Sequence, residues 1–380
     1  MKLNFLVHDC FPEIGHTRAM LEVIRKIDST KLEKLRVICF TSASAEELYP
    51  EHPEKVEIKR IPMAGLKPFI LKSIFFQLYT WFFKKRLLLP KAKTITMGVC
   101  SFVGDIVNIQ FSHKLWEKLY FKTIPTSPLK KIYKKILLRY LSLCEEHYYR
   151  KQGLQFVFLS EFMAQEMVAD FQIEPKNYRI AYSSADITTF GPDLRSSRLE
   201  LIAALKKSYP QLSSIDEEKP ILLFVGAFER KGLPSIVEKV GSHLNFIVVG
   251  KGEKGSLFTL PEADHIFHID FTKEIAKFFN ICDAFIFPTS FEPFGLVVLE
   301  AYASGTKILV SEHMVGATEI IKGSAGVNLI EADEPELPEV VKLSTQEREL
   351  NFKARKEVLN RYTWKACTQE WESILTFEPL

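Results

Sequence analysis

Glu292 and Glu300 lie in a segment, Ala284 to Gly305, that changes character twice. Ala284-Phe285-Ile286-Phe287 is an apolar run that ends at Pro288 and reads as a fully buried parallel strand. Ser290 to Pro293 has loop chemistry. Gly295 to Ala303 is apolar and helix-compatible, with Gly305 past its end as a stop signal. This predicts a helix starting near Phe294, whose first free N–H groups belong to Phe294, Gly295 and Leu296. A helix tip with a glycine for close approach favours an anion. Carboxylates accept hydrogen bonds from paired sugar hydroxyls. Glu292 lies just before the tip, and Glu300 lies roughly 8 Å along the axis at about 1.5 Å per residue. That order matches a nucleotide-sugar, with Glu292 on the sugar, the tip on the diphosphate and Glu300 on the ribose.

Two cations belong to the same chemistry. Ile221 to Val225 reads as a buried strand, followed by Gly226-Ala227-Phe228-Glu229-Arg230-Lys231-Gly232 and a helix from about Pro234. Arg230 and Lys231 therefore stand at a strand's carboxyl end, where open α/β sheets bind ligands. Near the start, Lys2 to Val7 is a strand and Thr17 to Ile27 has helical periodicity. Gly15 lies between them, where backbone can approach a phosphate. His113 follows the strand expected over Asp105–Gln110.

Glu292-Pro293-Phe294-Gly295-Leu296, with Glu300 after three more residues, resembles the Glu-x7-Glu motif of the family-4 glycosyltransferases. The flanking Asp283-Ala284-Phe285-Ile286-Phe287-Pro288-Thr289-Ser290 and the Ala301 to Gly305 spacing also match. The resemblance is specific over about residues 221–330. It implies the GT-B fold, two Rossmann-like doubly wound domains facing a cleft. It also implies a retaining hexosyltransferase that moves sugar from a UDP- or GDP-sugar to an acceptor hydroxyl. In the family an arginine and a Lys-Gly pair hold the diphosphate, roles that fall on Arg230 and Lys231. A histidine at the matching strand end faces donor sugar and acceptor, which points to His113; the other reading is a structural loop histidine. The chain departs from the pattern in three places. Ile14-Gly15-His16-Thr17-Arg18 stands for Gly-Gly-x-Glu, Ser183-Ser184-Ala185-Asp186 stands for Asn-Gly-x-Asp, and Ala227 occupies the usual arginine position.

A rival signal lies between. Gly250-Lys251-Gly252-Glu253-Lys254-Gly255 is a literal Gly-x-Gly-x-x-Gly, with Asp270 ending the next strand. It suggests an NAD-dependent oxidoreductase. Pro261 leaves little room for a crossover helix after it, and the motif sits on the domain's second strand. In the transferase reading Gly250 and Gly252 line the nucleotide pocket, with Phe271 as a base platform. A catalytically silent GT-B binding module is the third alternative. No metal is expected: His265 and His268 fall on opposite faces of a strand, and no Asp-x-Asp occurs.

The chain has 380 residues, long for one core. Residues 1–195 are expected to form the acceptor-side domain, 220–362 the nucleotide-sugar domain, and 363–380 a helix crossing back, with the linker within 191–219. Strand and helix patterns alternate, which argues parallel sheets. No run approaches the eighteen or so apolar residues of a spanning helix. Six scattered cysteines indicate neither a disulfide framework nor zinc, so a reduced cytoplasmic protein is expected. Residues 1–190 hold 29 Lys+Arg against 19 Asp+Glu, leaving 21 against 28 of the totals 50 and 47 for the remainder. The basic half combines two aromatic-rich stretches, Phe69–Leu89 (one helix ended by Pro90) and Lys114–Lys151. These read either as solvated faces or as a patch for an anionic membrane surface, placing the protein on the inner face of the membrane. The expected partners are a nucleotide-sugar donor and a glycan, glycolipid or other hydroxyl acceptor, with no nucleic acid.

Overall fold

A computed structural model describes residues 1–376 apart from 194, 254, 255 and 334. It divides into two compact units. The first comprises Met1–Glu117, Tyr133–Ser183 and Trp364–Leu380, and the second Lys118–Ile132 and Ser184–Thr363.

The first unit is built on a seven-stranded sheet of β1 (Lys2–Leu6), β2 (Lys34–Cys39), β3 (Val56–Arg60), β4 (Lys93–Met97), β5 (Ile106–Ile109), β6 (Gln155–Phe158) and β7 (Tyr178–Ile180). Its order is β3-β2-β1-β4-β5-β6-β7, and every pairing is parallel. The longer helices are α1 (Gly15–Lys26), α2 (Phe69–Phe82), α3 (His113–Thr123), α4 (Pro128–Tyr149) and α5 (Glu161–Phe171), with the end of α3 and the start of α4, within Lys118–Ile132, grouping with the second unit. The single helix expected over Phe69–Leu89 is broken at Phe83, where φ −101° and ψ 15° leave the helical region; a separate turn over Lys84–Leu87 follows.

The second unit repeats the plan with β8 (Ile221–Val225), β9 (Asn245–Val249), β10 (Ile266–Ile269), β11 (Ala284–Phe287), β12 (Lys307–Ser311) and β13 (Val327–Ile330). The order is β10-β9-β8-β11-β12-β13, again all parallel. The apolar runs of β8, β9 and β11 are buried because crossovers cover both faces of such a sheet. Its longer helices are α6 (Arg198–Ser208), α7 (Ile275–Ile281), α8 (Leu296–Ala303) and α9 (Thr345–Arg361). No α-helix begins at Pro234. Two 3-10 turns, Leu233–Ser235 and Val237–Lys239, make that connection instead. The last helix, α10 (Trp364–Leu375), belongs to the first unit, where Cys367, Trp371, Ile374 and Leu375 join the core of β1, β2 and α1.

Residues 184–219 group with the second unit, and a buried carboxylate explains how. Asp283, fully buried at the head of β11, accepts hydrogen bonds from Ile221 N–H (2.7 Å), Leu343 N–H (2.7 Å) and the Arg198 guanidinium (3.1 Å). Arg198 also donates to Ile281, Glu217 and Lys219 carbonyls, fastening α6 beside the start of β8. One carboxylate thus holds the first strand, the central strand and the approach to α9. Removing one partner of a buried ion pair costs about 3–5 kcal/mol. Asp283→Ala is expected to destabilise the second unit by that amount, read as a lower urea midpoint in equilibrium unfolding followed by far-ultraviolet circular dichroism.

Candidate active site

In the second unit the sheet order reverses direction between β8 and β11, its topological switch point. Ligands of open α/β sheets bind beyond the carboxyl ends of strands at such a point. Because β8 and β11 are hydrogen-bonded neighbours, the loops leaving them emerge side by side. The first carries Arg230 and Lys231, the second Glu292.

Those loops are tied together. The Thr289 hydroxyl lies 2.9 Å from the Arg230 carbonyl and 3.1 Å from that of Phe291, so it spans both. The Lys231 ammonium donates to Glu292 Oε2 and sits 5.4 Å from the Phe287 ring centroid. The pair is only 13% and 16% exposed. Burial pushes the Lys231 ammonium well below the ordinary lysine range, and the neighbouring Arg230 adds to the shift. Burial also lowers Arg230, opposed by Glu253, and its Nε is enclosed without a hydrogen-bond partner.

The helix beyond begins later than the sequence suggests. Gly295 is the N-cap of α8, with φ +96°, and Leu296 is the first helical residue. The left-handed backbone there suits glycine and turns the chain sharply into the helix. The free N–H donors at the tip are accordingly those of Leu296 and Val297, one step on from the expected set, since Val298 N–H already bonds to Gly295 O at 2.9 Å. Phe294 lies before the cap with its ring buried, and its carbonyl accepts from Ala317 N–H at 2.7 Å. Glu292 is pinned on both sides by backbone bonds to Met314 (2.8 Å) and Gly316 (3.1 Å). Glu300 sits further along α8, buried at 4% exposure.

The glycines close the floor of this region. Gly226 N–H bonds to Val249 O at 2.9 Å, and a Cβ on Gly250 would fall 2.0 Å from Gly226 O. Only glycine allows the two strand ends to touch. Glu229, which sequence reading did not single out, supports the loop. Its buried carboxylate accepts from Glu253 N–H at 2.7 Å and lies 3.3 Å from where a Gly252 Cβ would stand. Phe271 follows β10 and is 59% exposed. Gly255, the third glycine of the dinucleotide-like motif, lies outside the described residues. Among the described residues no helix occurs between Gly252 and β10, so that motif lacks the helix N-terminus its NAD reading needs.

The first unit brings another set together. His113 is the first residue of α3, and the buried Glu145 carboxylate accepts the N–H groups of His113 (2.7 Å) and Lys114 (2.8 Å). Burial raises that carboxyl to about 8, and the two N–H donors pull it back. His8, just past β1, was missed in the sequence; its position at the strand's carboxyl end is the signal that marks it. Its ring packs edge-on against Phe76 (4.9 Å) and Phe69 (5.5 Å), and its Nε2 is enclosed without a partner. Asp9 beside it binds Lys72 at 3.1 Å. Gly15 is the first residue of α1, and a Cβ there would meet no atom within 4 Å. Asp186, the surviving residue of the Asn-Gly-x-Asp position, caps a short turn through Thr188 N–H at 2.9 Å.

Residues 206–351 match the family described as glycosyl transferases group 1. The match spans less than half of the chain. Over 174 residues the chain is 25% identical to the Campylobacter jejuni N-acetylgalactosamine-N,N'-diacetylbacillosaminyl-diphospho-undecaprenol 4-alpha-N-acetylgalactosaminyltransferase, covering 44% of each. The chain spans about half the length of the curated relatives it matches. Among solved structures it resembles WaaG, a glycosyltransferase involved in lipopolysaccharide biosynthesis, with a TM-score of 0.63 at 16% identity over 98% of this chain and 95% of that one. It also resembles Anabaena HepE in complex with UDP and glucose, with a TM-score of 0.64 at 14% identity over 99% of both. The fold is GT-B.

Burial lowers His8 and His113 to about 4 each; Asp9 opposes the shift at His8 while Lys72 and His16 add to it, and His8 adds to the shift at His113. Both are neutral in the folded protein near neutral pH. On unfolding each returns to about 6.5 and takes up a proton below it. Their contribution to stability is therefore complete above about pH 6.5 and falls as pH drops towards 4. Urea midpoints measured between pH 7 and 4 are expected to decline for the wild type, and to decline less steeply over that window for the double variant His8→Phe, His113→Gln.

Proposed function

We propose that the protein is a retaining glycosyltransferase that moves a sugar from a UDP- or GDP-sugar to a hydroxyl of a glycan or glycolipid acceptor. The observation that carries this reading is the contact between Lys231 and Glu292 at the mouth of the β8–β11 switch point, beside the N-terminus of α8. A cation for phosphate and a carboxylate for sugar hydroxyls stand there within one hydrogen bond of each other. A bound donor would offer each its own partner.

In this reading the bond between the sugar's anomeric carbon and the diphosphate oxygen breaks, and charge grows on the leaving diphosphate. Arg230, Lys231 and the N–H groups of Leu296 and Val297 supply positive potential there before the reaction begins. The acceptor oxygen bonds to the anomeric carbon on the face the diphosphate leaves, and its proton passes to the departing phosphate oxygen. Protein cations occupy the role a divalent ion would otherwise take, so no metal enters the scheme. Glu292 holds sugar hydroxyls, Glu300 accepts from the ribose, Gly226, Gly250 and Gly252 let the nucleotide lie against backbone, and Phe271 offers an exposed ring to the base. His113, neutral, both donates and accepts a hydrogen bond and is assigned to sugar or acceptor hydroxyls. Gly15 leaves open space at the start of α1 for the donor's phosphates. The names of the relatives support the acceptor class: one acts on a diphospho-undecaprenol carrier and another works in lipopolysaccharide biosynthesis.

A panel of nucleotide-sugars with mass spectrometry of released nucleotide and products tests the reading as a whole; binding of none of them, with no turnover, overturns it. Glu300→Gln replaces a charged acceptor with a neutral one and is expected to weaken nucleotide binding by about 1.5–3 kcal/mol in titration calorimetry. Unchanged affinity removes the ribose assignment. Lys231→Ala is expected to lower kcat by more than it raises KM, because the charge Lys231 meets grows in the transition state. A change confined to KM would make Lys231 a ground-state binding residue.

A further inference from the structure

α2 is built inside out. Its buried residues are Ser73, Phe76, Gln77 and Thr80. Its exposed face carries Leu78 (52%), Trp81 (51%) and Phe82 (68%), with Phe83 (45%) immediately after. The inward polar groups have work to do inside the unit. Gln77 donates to the Val99 carbonyl at 2.7 Å, and the Thr80 hydroxyl bonds to Ser101 at 2.8 Å. Nothing in the unit requires the outward residues to be large and apolar. Single exposed apolar side chains are ordinary, whereas several on one short helix mark an interaction surface.

Charge identifies what covers it. The turn after α2 exposes Lys84, Lys85 and Arg86, and no Asp or Glu occurs between Glu57 and Asp105. Lys72 takes no part, since Asp9 holds it. The neighbouring α4 contacts α2 through Gln77, whose Oε1 accepts from Tyr140 and whose Nε2 lies 3.8 Å from Cys144 Sγ. Its own outward side exposes Ile136 and Leu143 two turns apart with Lys135 beside them, while Arg139 is paired with Glu117 at 3.9 Å. Trp and Phe beside Lys and Arg, with no acidic residue, is the composition of a helix that lies in a bilayer interface. α2 has 14 residues, and among the described residues no helix is long and apolar enough to cross a membrane.

We infer that the outward face of α2 and its Lys84–Arg86 tail form a docking surface for an anionic lipid bilayer, with Trp81 and Phe82 entering the interface and the three cations meeting lipid headgroups. This goes beyond the proposed sugar transfer and stands independently of it. Cations near an anionic surface act over the screening length, so their share falls with salt, while the apolar share does not.

The test is flotation of the full chain with phosphatidylcholine vesicles with and without phosphatidylglycerol. Recovery is expected to be several-fold higher on the anionic vesicles at low salt, and the difference is expected to shrink at high salt. Tryptophan emission should shift to the blue on binding and be quenched by brominated lipid, and Trp81→Phe should remove most of that change. Trp81→Ser with Phe82→Ser is expected to lower recovery about tenfold while circular dichroism and nucleotide binding stay as in the wild type. The triple variant Lys84→Glu, Lys85→Glu, Arg86→Glu should abolish the preference for anionic lipid. Equal recovery of the wild type and the serine variant overturns the inference. So does an absence of vesicle binding together with a dimer, in sedimentation velocity, that the serine variant dissolves; the face would then cover a second copy of the chain.

Discussion

A buried ammonium has to meet a carboxylate, and in this protein the need is met between residues far apart in sequence. Lys231 and Glu292 come from loops after β8 and β11, and they meet because those strands are neighbours in a sheet whose order reverses between them. The rest of the site follows from that adjacency. Thr289 bonds across to Arg230, which fixes the loop bearing the cations. Gly226 and Gly250 touch, so the strand ends can draw together beneath it. Gly295 turns the chain so that α8 starts beside the pair. Each of these devices is local, yet each serves the same contact.

The far end of α8 is treated with equal care. Two arginines of α9, Arg348 and Arg355, are buried at 5% and 0% exposure. Arg355 donates to the Tyr302 carbonyl at 2.8 Å and to Thr306 and Ala325 carbonyls, and Arg348 reaches Phe279, Cys282 and Ser304 carbonyls. They satisfy carbonyls left over at the end of the helix and place positive charge at its negative end. Main-chain oxygens surround both guanidinium groups, and the charge of the buried Asp283 also favours the Arg348 cation. A helix capped this way presents its N-terminus to the site with its axis held at both ends.

Much of this was legible in the sequence. Buried parallel strands announce themselves as unbroken apolar runs, and Ala284–Phe287 and Ile221–Val225 fall within a residue of their observed ends. The strand–turn–helix around Gly295 was legible for the same reason, although a glycine that caps looks the same on paper as one inside the first turn. Other features were not. Nothing in Leu233–Lys239 distinguishes an α-helix from two 3-10 turns, because both satisfy the same short connection. The break at Phe83 is a change of dihedral within an apolar run and leaves no compositional mark. His8 and Glu229 are defined by what folds around them. The inverted polarity of α2 is invisible to composition, since a Phe-rich helix with lysines reads equally as core.

The chain visits its two units in alternation, and this bears on how the protein is made. The first unit contains Met1–Glu117 and Tyr133–Ser183, but its core also needs Cys367, Trp371, Ile374 and Leu375. Trp371 and its neighbours leave the ribosome after the whole of the second unit. Until they do, the face of α1 that carries Met20 and Val23 lacks its cover, while the second unit has already been completed. Vectorial synthesis usually lets an N-terminal domain finish first. Here the order is reversed: the first unit closes only after the second, and a nascent chain halted before α10 emerges carries an open hydrophobic seam for a chaperone to guard.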